Sequence, residues 1–344
     1  MTLRDVARQA GVSVATTSRS LNDRAHVQPE TRERVLQAAN DLGFSVRRPN
    51  TRTTNRRTVG LLTSDPGGRM SMAVLRGVED ALGAGEIDVL LCASRGDPIR
   101  EQHYLRTLAD RRVDGIIVVG DSTNPRPPID RRQRVPVIYA FAPSESHNDV
   151  SFVPDEQQGA RLLVRHLLAL GRTRIAHVAG PEEWWSARHR LLGVTNELAV
   201  AGLHLVGPAM YGPDWSQRWG RHAATMLLRS DPDVDAIIGG CDQIAVGVMD
   251  TLRDNGRVVP EDVAVVGFDN WEVFAADSWE PLTTIDMRLE RVGRAAAHAL
   301  FSTTGHPTAP GTYSLSCTLV IRESAGLAHR AATPLPPPVE HAGR

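Results

Sequence analysis

Lysine is absent from this chain of 344 residues: all 39 basic side chains are arginine. With abundant Ala, Gly and Pro, that bias fits a genome's base composition as well as a task, so the arginine count is not read as function. Cysteine is scarce. Cys92, Cys241 and Cys317 are odd in number and far apart, which argues against a disulfide framework and suits a reducing cytoplasm. No apolar run approaches the length of a membrane span. Met1 is followed by a helix cap and not by an apolar signal core. Catalytic signatures are missing too. There is no G-x-S-x-G, Gly-rich phosphate loop or zinc pattern, and His177, His189, His298 and His306 lack metal-ligand spacing. An enzyme has little to rest on, and neither metal nor cofactor is implied.

What is present begins with an asymmetry of charge. The net charge is −1, yet residues 1–57 carry eleven Arg against Asp5, Asp23, Glu30, Glu33 and Asp41, a net of +6. The remainder carries −7. A basic head on an acidic body is the footprint of nucleic-acid binding by the head. The length exceeds one compact core and fits a small domain plus a larger two-lobed one.

Residues 3–22, LRDVARQAGVSVATTSRSLN, read as helix, tight turn, helix. Thr2 caps the first helix and Asp5 completes a capping box. Leu3, Val6, Ala7 and Ala10 form one apolar stripe, and Gly11 stops the helix where a positive φ is wanted. Ser13 caps a second helix that opens with Val14-Ala15-Thr16 and carries Arg19 one turn on. Small residues, hydroxyls and one Arg at a helix start suit a major groove, with backbone N–H groups meeting phosphate. A third helix starts at Pro29 and buries Val35, Ala38, Ala39 and Leu42. Residues 46–57, VRRPNTRTTNRR, are polar and basic and read as a linker.

Beyond residue 58 the pattern alternates. Short apolar runs at 59–65, 87–94, 115–120 and 135–141 are separated by helical stretches near 71–84 and 98–112. Helices near 155–170, 186–201, 214–230, 242–255 and 288–303 then alternate with strands at 174–180, 205–211, 236–240, 263–270 and 281–287, and a last strand spans 313–324. This predicts βαβ units and parallel sheets. The stretch 326–344, with PLPPP and no heptads, reads as disordered.

Residues 2–22 resemble the DNA-binding headpiece of the LacI/GalR family of bacterial regulators, whose N-terminus runs T-hydrophobic-x-D-V-A-x-x-A-G-V-S-x-x-T-V-S-R-x-L-N. Thr17 departs from it where the family has a core Val, so one buried hydroxyl needs a carbonyl. The body continues the likeness with GPEEWWSARHRLLGV (180–194), CDQIAVGVMDTLRDNG (241–256), VPEDVAVVGFDN (259–270) and PLTTI (281–285). The resemblance implies an all-α helix-turn-helix headpiece (1–45), a linker (46–57), a two-lobed α/β sensor of the periplasmic-binding-protein type (58–325) and a tail (326–344). The chain is expected to cross between lobes near 155, 286 and 313.

By the same resemblance, the partners are operator DNA, a sugar-like effector and a second copy of the chain in a homodimer, without a membrane. Val14, Ala15 and Arg19 are expected to face bases. Thr2, Ser13, Thr16, Ser18, Asn22 and Thr31 are expected to meet phosphates, and Leu3, with Arg47 and Arg48 from the linker, is expected to contact the DNA as well. Arg190, Asp269 and Trp215 are expected to hold the effector, the charged pair through its hydroxyls and the ring against its apolar face. Cys241 stands where many members carry a ligand-binding Asn. Val119 and Phe141 stand where the lactose-sensing member has polar contacts, so a less polar pocket is expected. Trp184 and Trp185 are adjacent, and at most one of them faces the cleft. Two other classes fit the body alone: a solute-binding protein for a transporter, and a sugar-handling enzyme on the same scaffold. The first needs a signal peptide and no headpiece; the second needs a nucleophile or base.

Overall fold

The computed structural model describes residues 2–21, 27–42, 44, 57–65, 67–83, 87–130, 135–301 and 308–326. The expected contacts Asn22, Arg47 and Arg48, the linker 46–56 and the tail from 327 lie outside them. Contacts divide the chain into two compact units, one ending at Arg56 and one starting at Arg57.

The first unit holds α1 (Leu3–Ala10), α2 (Val14–Leu21) and α3 (Pro29–Asp41). Asp5 closes the start of α1 by accepting both the Thr2 backbone N–H (2.8 Å) and the Thr2 hydroxyl (2.9 Å). Those bonds, the backbone one foremost, hold its carboxyl below the usual range. Gly11 takes φ 64 and ends the helix. Val6, Ala10, Leu21, Val35, Ala38 and Ala39 form the core, with Leu3, Val12, Leu42 and Phe44 packed around it. The buried Thr17 hydroxyl donates to the Ser13 carbonyl at 3.0 Å, so its substitution into the core is satisfied within one turn. Gln28 makes no side-chain cap bond at the start of α3.

The second unit starts with β1 (Arg57–Thr63), α4 (Arg69–Leu82), β2 (Ile87–Ala93), α5 (Pro98–Asp110), β3 (Gly115–Val119), β4 (Val137–Ala140) and β5 (Val150–Pro154). The chain then passes into a second lobe. That lobe holds α6 (Glu156–Ala169), β6 (Ile175–Val178), α7 (Trp185–Val200), α8 (Gln217–Ser230), β7 (Ala236–Gly239), α9 (Asp242–Asp254), β8 (Ala264–Val266), α10 (Glu272–Ala275) and β9 (Thr284–Asp286). It returns for α11 (Leu289–Leu300) and β10 (Gly311–Leu315), and ends with β11 (Thr318–Val320). The first lobe is one parallel sheet in the order β10-β5-β4-β3-β1-β2, and the second a parallel β6-β7-β8 sheet. The central strand β3, GIIVV, is buried along its whole length, as a parallel strand covered by helices on both faces requires.

Helices α4 and α11 cross in close contact. A Cβ on Gly77 would lie 1.9 Å from the Glu290 carbonyl oxygen, and one on Gly293 would lie 2.0 Å from that of Val74. Only glycine permits this approach.

The last expected strand, 313–324, is not continuous. It breaks at Ser316-Cys317, and the third crossing lies between Leu315 and Thr318, a few residues past the expected 313. β10 pairs with β5 and β11 with β9, in different sheets. One straight strand cannot follow both ladders, and at the break the Cys317 N–H donates to Gln158 Oε1 instead. The stretch 205–211 is also not a strand. Val206 and Met210 bond along β6, but Gly207, at φ 66, and Pro208 interrupt the ladder, leaving one bridge from Met210 to Val178. β5 and α10 had no clear signal in the sequence. No helix among the described residues is long and apolar enough to cross a membrane.

Candidate functional site

Two surfaces collect the expected site residues, one in each unit. In the first, the start of α2 stands clear of the core. Val14 is 42% exposed, and Ala15 and Arg19 are exposed as well. Ser13 Oγ accepts the Thr16 N–H at 3.1 Å, and the two hydroxyls lie 2.9 Å apart. Thr2 and Ser13 are exposed, and Leu3, Thr16, Ser18 and Thr31 half-buried. A helix start with small side chains, hydroxyls and one cation can enter a groove and meet phosphate at its rim.

In the second unit, strand ends and helix starts surround a cavity of about 180 Å³. The first lobe supplies Arg69 and Met70 from the start of α4, Asp121, Ser122 and Thr123 after β3, and Phe141 after β4. The second supplies Trp184, Ser186 and Arg190 around α7, Trp215 before α8, Cys241 and Gln243 at α9, and Asp269 after β8. Glu156, the first residue of α6, lies at the crossover. Ligands of open α/β sheets sit at such carboxyl ends of strands.

Arg190 organises the charges. It is 5% exposed. Its Nε and Nη2 donate to Glu156 Oε1 at 3.1 and 2.8 Å, and Nη1 donates to the Gly240 carbonyl at 2.6 Å. The Phe268 ring lies 3.9 Å from the guanidinium. Burial alone would lower its pKa, but the charges of Glu156 and then Asp269 reverse this and raise it. Glu156 Oε2 accepts the Thr123 hydroxyl at 3.0 Å, which ties the first lobe into the same network.

Asp269 stands between two cations. One oxygen accepts from Arg69, whose guanidinium lies 4.3 Å from the Trp271 ring centre. The other, Oδ1, is 3.3 Å from Arg190 Nη2 but accepts no hydrogen bond. Trp215 Nε1 is likewise buried without a partner. Its ring packs on Gly180, where a Cβ would meet it at 2.5 Å, and meets Trp184 edge-on at 5.9 Å. Cys241 Sγ lies 3.7 Å from the Trp215 carbonyl, and burial pushes its thiol up to about 12. It is thus a small neutral wall and not a nucleophile. Among the described residues, four of the six non-glycine residues with positive φ, namely Phe141, Asp269, Asn270 and Arg288, line this cavity or the one beside it. Residues in such sparsely populated backbone regions cluster at active sites, ligand clamps and switch regions.

Residues 2–47 match the family described as bacterial regulatory proteins, lacI family. Residues 56–316 match the periplasmic binding proteins and sugar binding domain of the LacI family. The chain belongs to the LacI family. It is 32% identical over 334 residues to the HTH-type transcriptional regulator CelR of Thermobifida fusca, covering 94% of this chain and 98% of that protein. It superposes on the structure of a CelR–cellobiose complex with a TM-score of 0.63 at 30% identity, covering 94% of this chain and 99% of the other. For the lac repressor dimer bound to operator and the anti-inducer ONPF, the TM-score is 0.70 at 28% identity, covering 95% and 99%. As a LacI-family protein the chain is a DNA-binding transcriptional regulator with a small-molecule effector, not an enzyme.

Among the residues expected at this LacI-family cleft, the structure brings together Arg190, Asp269, Trp215, Cys241 and Phe141. Val119 is not among them: it is fully buried in the first-lobe core, because all of β3 is covered. Trp184 faces the cavity, while Trp185 is 38% exposed and its ring lies 5.1 Å from that of His189, tilted to it by 53°. Arg69 and Glu156 were missed. Glu156 follows an Asp N-cap, where any helix favours an acid, so nothing singles it out. Arg69 follows the sequence Pro66-Gly67-Gly68, which carries no charge signature that would single it out.

Proposed function

We propose that the protein is a cytoplasmic homodimeric repressor that reads a near-palindromic operator through α2 and binds a sugar or sugar derivative in the cleft around Arg190 and Asp269. Two α2 helices related by a two-fold axis fit two half-sites. The reading of the cleft rests on one observation above the others: two buried polar atoms, Asp269 Oδ1 and Trp215 Nε1, make no hydrogen bond, and both residues line one small cavity. Buried polar groups are normally bonded, so a ligand rich in hydroxyls completes them while the Trp215 ring covers its apolar face. The cellobiose in the related CelR complex is a ligand of that chemistry.

Thermal shift against a panel of sugars and nucleobases identifies the effector, since a ligand of the native state raises the melting temperature. Operator affinity is then measured with and without it. Arg19→Ala is expected to cost about 1–3 kcal/mol of operator binding and to relax preference at one base pair. A ligand that leaves operator affinity unchanged, or an Arg19→Ala protein with the same affinity and preference, overturns the assignment.

A further inference from the structure

A second cavity, of about 410 Å³, adjoins the first and shares Arg69, Met70 and Asp269 with it. Helices α4 and α11, held close by the Gly77–Gly293 approach, both contribute to its lining. With the two backbones this close, Arg76 on α4 and Arg291 and Arg294 on α11 open onto one groove, and Arg288 joins them at the start of α11. Arg69 brings the guanidinium count to five, against Asp269, Asp286 and Glu290. Two of the five are engaged: Arg69 by Asp269, and Arg294 by Asp80 at 3.3 Å. Asp286 Oδ1 accepts the Arg288 backbone N–H at 2.7 Å, and Arg288 lines the groove. Among the described residues, no ion pair is formed by the guanidinium groups of Arg76, Arg288 or Arg291. Arg288 also holds φ 53, in the left-handed region that a non-glycine residue enters at a cost.

The inner cavity is small. Pockets for drug-sized ligands run to about 300–1,000 Å³, and about 180 Å³ lies below that range whereas about 410 Å³ lies within it. We propose that the effector is bipartite and anionic: a sugar head in the inner cavity, and a phosphate or carboxylate in the arginine groove. This rests on the reading of the cleft given above. The hydroxyls of the head donate to Asp269 Oδ1, which accepts no hydrogen bond, and compete with Arg69 for the other oxygen. A released Arg69, on the wall common to both cavities, turns its charge to the anion. The guanidinium fork matches phosphate and carboxylate oxygens in pairs, which favours either over a simple halide.

The test uses the full chain and thermal shift, with Arg76→Ala/Arg291→Ala and Asp269→Asn beside the parent. The melting temperature of each variant without ligand reports its folding, and Arg76→Gln/Arg291→Gln is the second choice if the alanine pair fails to fold. Inorganic phosphate is compared with chloride at equal ionic strength. The expected result is stabilisation by phosphate that weakens about tenfold in apparent affinity without the two arginines and persists in Asp269→Asn. No stabilisation beyond chloride, or an equal effect in the arginine variant, overturns the proposal. In the second arm, neutral sugars are paired with their phosphate esters and their uronic acids. The anionic partner is expected to bind more tightly than the neutral one, with the gain lost in the arginine variant; the better of ester and acid names the anion. Equal affinity for neutral and charged partners overturns the anionic half while leaving the cleft intact. Failure of every sugar, charged or neutral, beside a positive phosphate arm overturns the cleft reading and the bipartite effector with it.

Discussion

Arg69 and Asp269 come from opposite lobes of the body and meet in a salt bridge across the cleft. The Arg69 side chain is 27% exposed and that of Asp269 7%, so the pair sits at the edge between solvent and cavity. With Arg190, Glu156 and Thr123 it completes a polar path from the first lobe to the second and back. A ligand that engages Asp269 therefore acts on a contact holding the lobes together, which is how a small molecule gains differential affinity for two lobe arrangements. Asp269→Asn keeps the shape and removes the charge. It is expected to weaken effector binding by about 1.5–3 kcal/mol, the range for a hydrogen bond to a charged group, in a calorimetric titration. Unchanged affinity would remove Asp269 from the site.

Arg190 serves structure and ligand at once. It is the charge partner of Glu156, which is 3% exposed. Arg190→Ala is expected to destabilise the body by about 3–5 kcal/mol in urea unfolding, because the uncompensated buried Glu156 outweighs the lost contact. Adding Glu156→Gln should recover part of that loss. Stability equal to the parent in the single variant would show that Glu156 is compensated elsewhere. Loss of effector binding in Arg190→Ala is thus no clean test of a ligand contact, and Asp269 is the better probe.

The headpiece was legible in detail because its signals are local: a capping box, a glycine C-cap and a hydroxyl cap lie within a few residues of the elements they fix. Thr17 shows how far this extends, since its carbonyl partner, Ser13, is four residues away at the start of the same helix. The alternation of the body gave the two lobes and most strands for the same reason. Long-range partners were not legible. Arg69 and Asp269 are 200 residues apart, and nothing at either position announces the other. Val119 was misplaced because a position near a strand end faces either a cleft or a core, and only the helices covering the sheet decide which. The break at Ser316-Cys317 was hidden because the apolar pattern continues through it while its pairing partner changes.

Asp242 sits 1% exposed behind the cleft, where its carboxylate accepts the Thr284 hydroxyl at 2.5 Å and the Trp271 N–H at 2.7 Å. Burial, followed by the negative charge of Asp269, raises its pKa from 3.8 to about 8. The folded protein thus holds this proton more tightly than the unfolded chain. Its contribution to stability is full below about pH 4 and is lost as pH rises toward about 8. In Asp242→Asn the amide oxygen still accepts from Trp271 and the NH2 group donates to Thr284. The variant should therefore melt higher than the parent near pH 8, with the gap shrinking toward about pH 5. Parallel melting curves across that range would show that Asp242 does not titrate there.

The linker departs furthest from the family. Most members continue P-N-x-x-A-R-x-L into a short hinge helix whose Leu enters the central minor-groove step and kinks the operator. Here Pro49-Asn50 is followed by TRTTNRR, and no Leu, Ile or Met occurs between residues 45 and 57. Thr51, Thr53 and Thr54 lower helix propensity further. Arg47, Arg48, Arg52 and Arg56 remain, since Arg57 opens β1 and donates to the Phe301 carbonyl at 3.1 Å, and arginine can enter a narrow minor groove or neutralise phosphates without an apolar wedge. Operator bending weaker than the family norm is expected, together with a steep fall of affinity with salt. A linker that adds only diffuse charge gives the same salt slope, so bending is the discriminating measurement, read from the mobility of circularly permuted operator fragments. A strong central kink would contradict the expectation and assign the wedge to Val46 or Pro49, the apolar residues the linker still has.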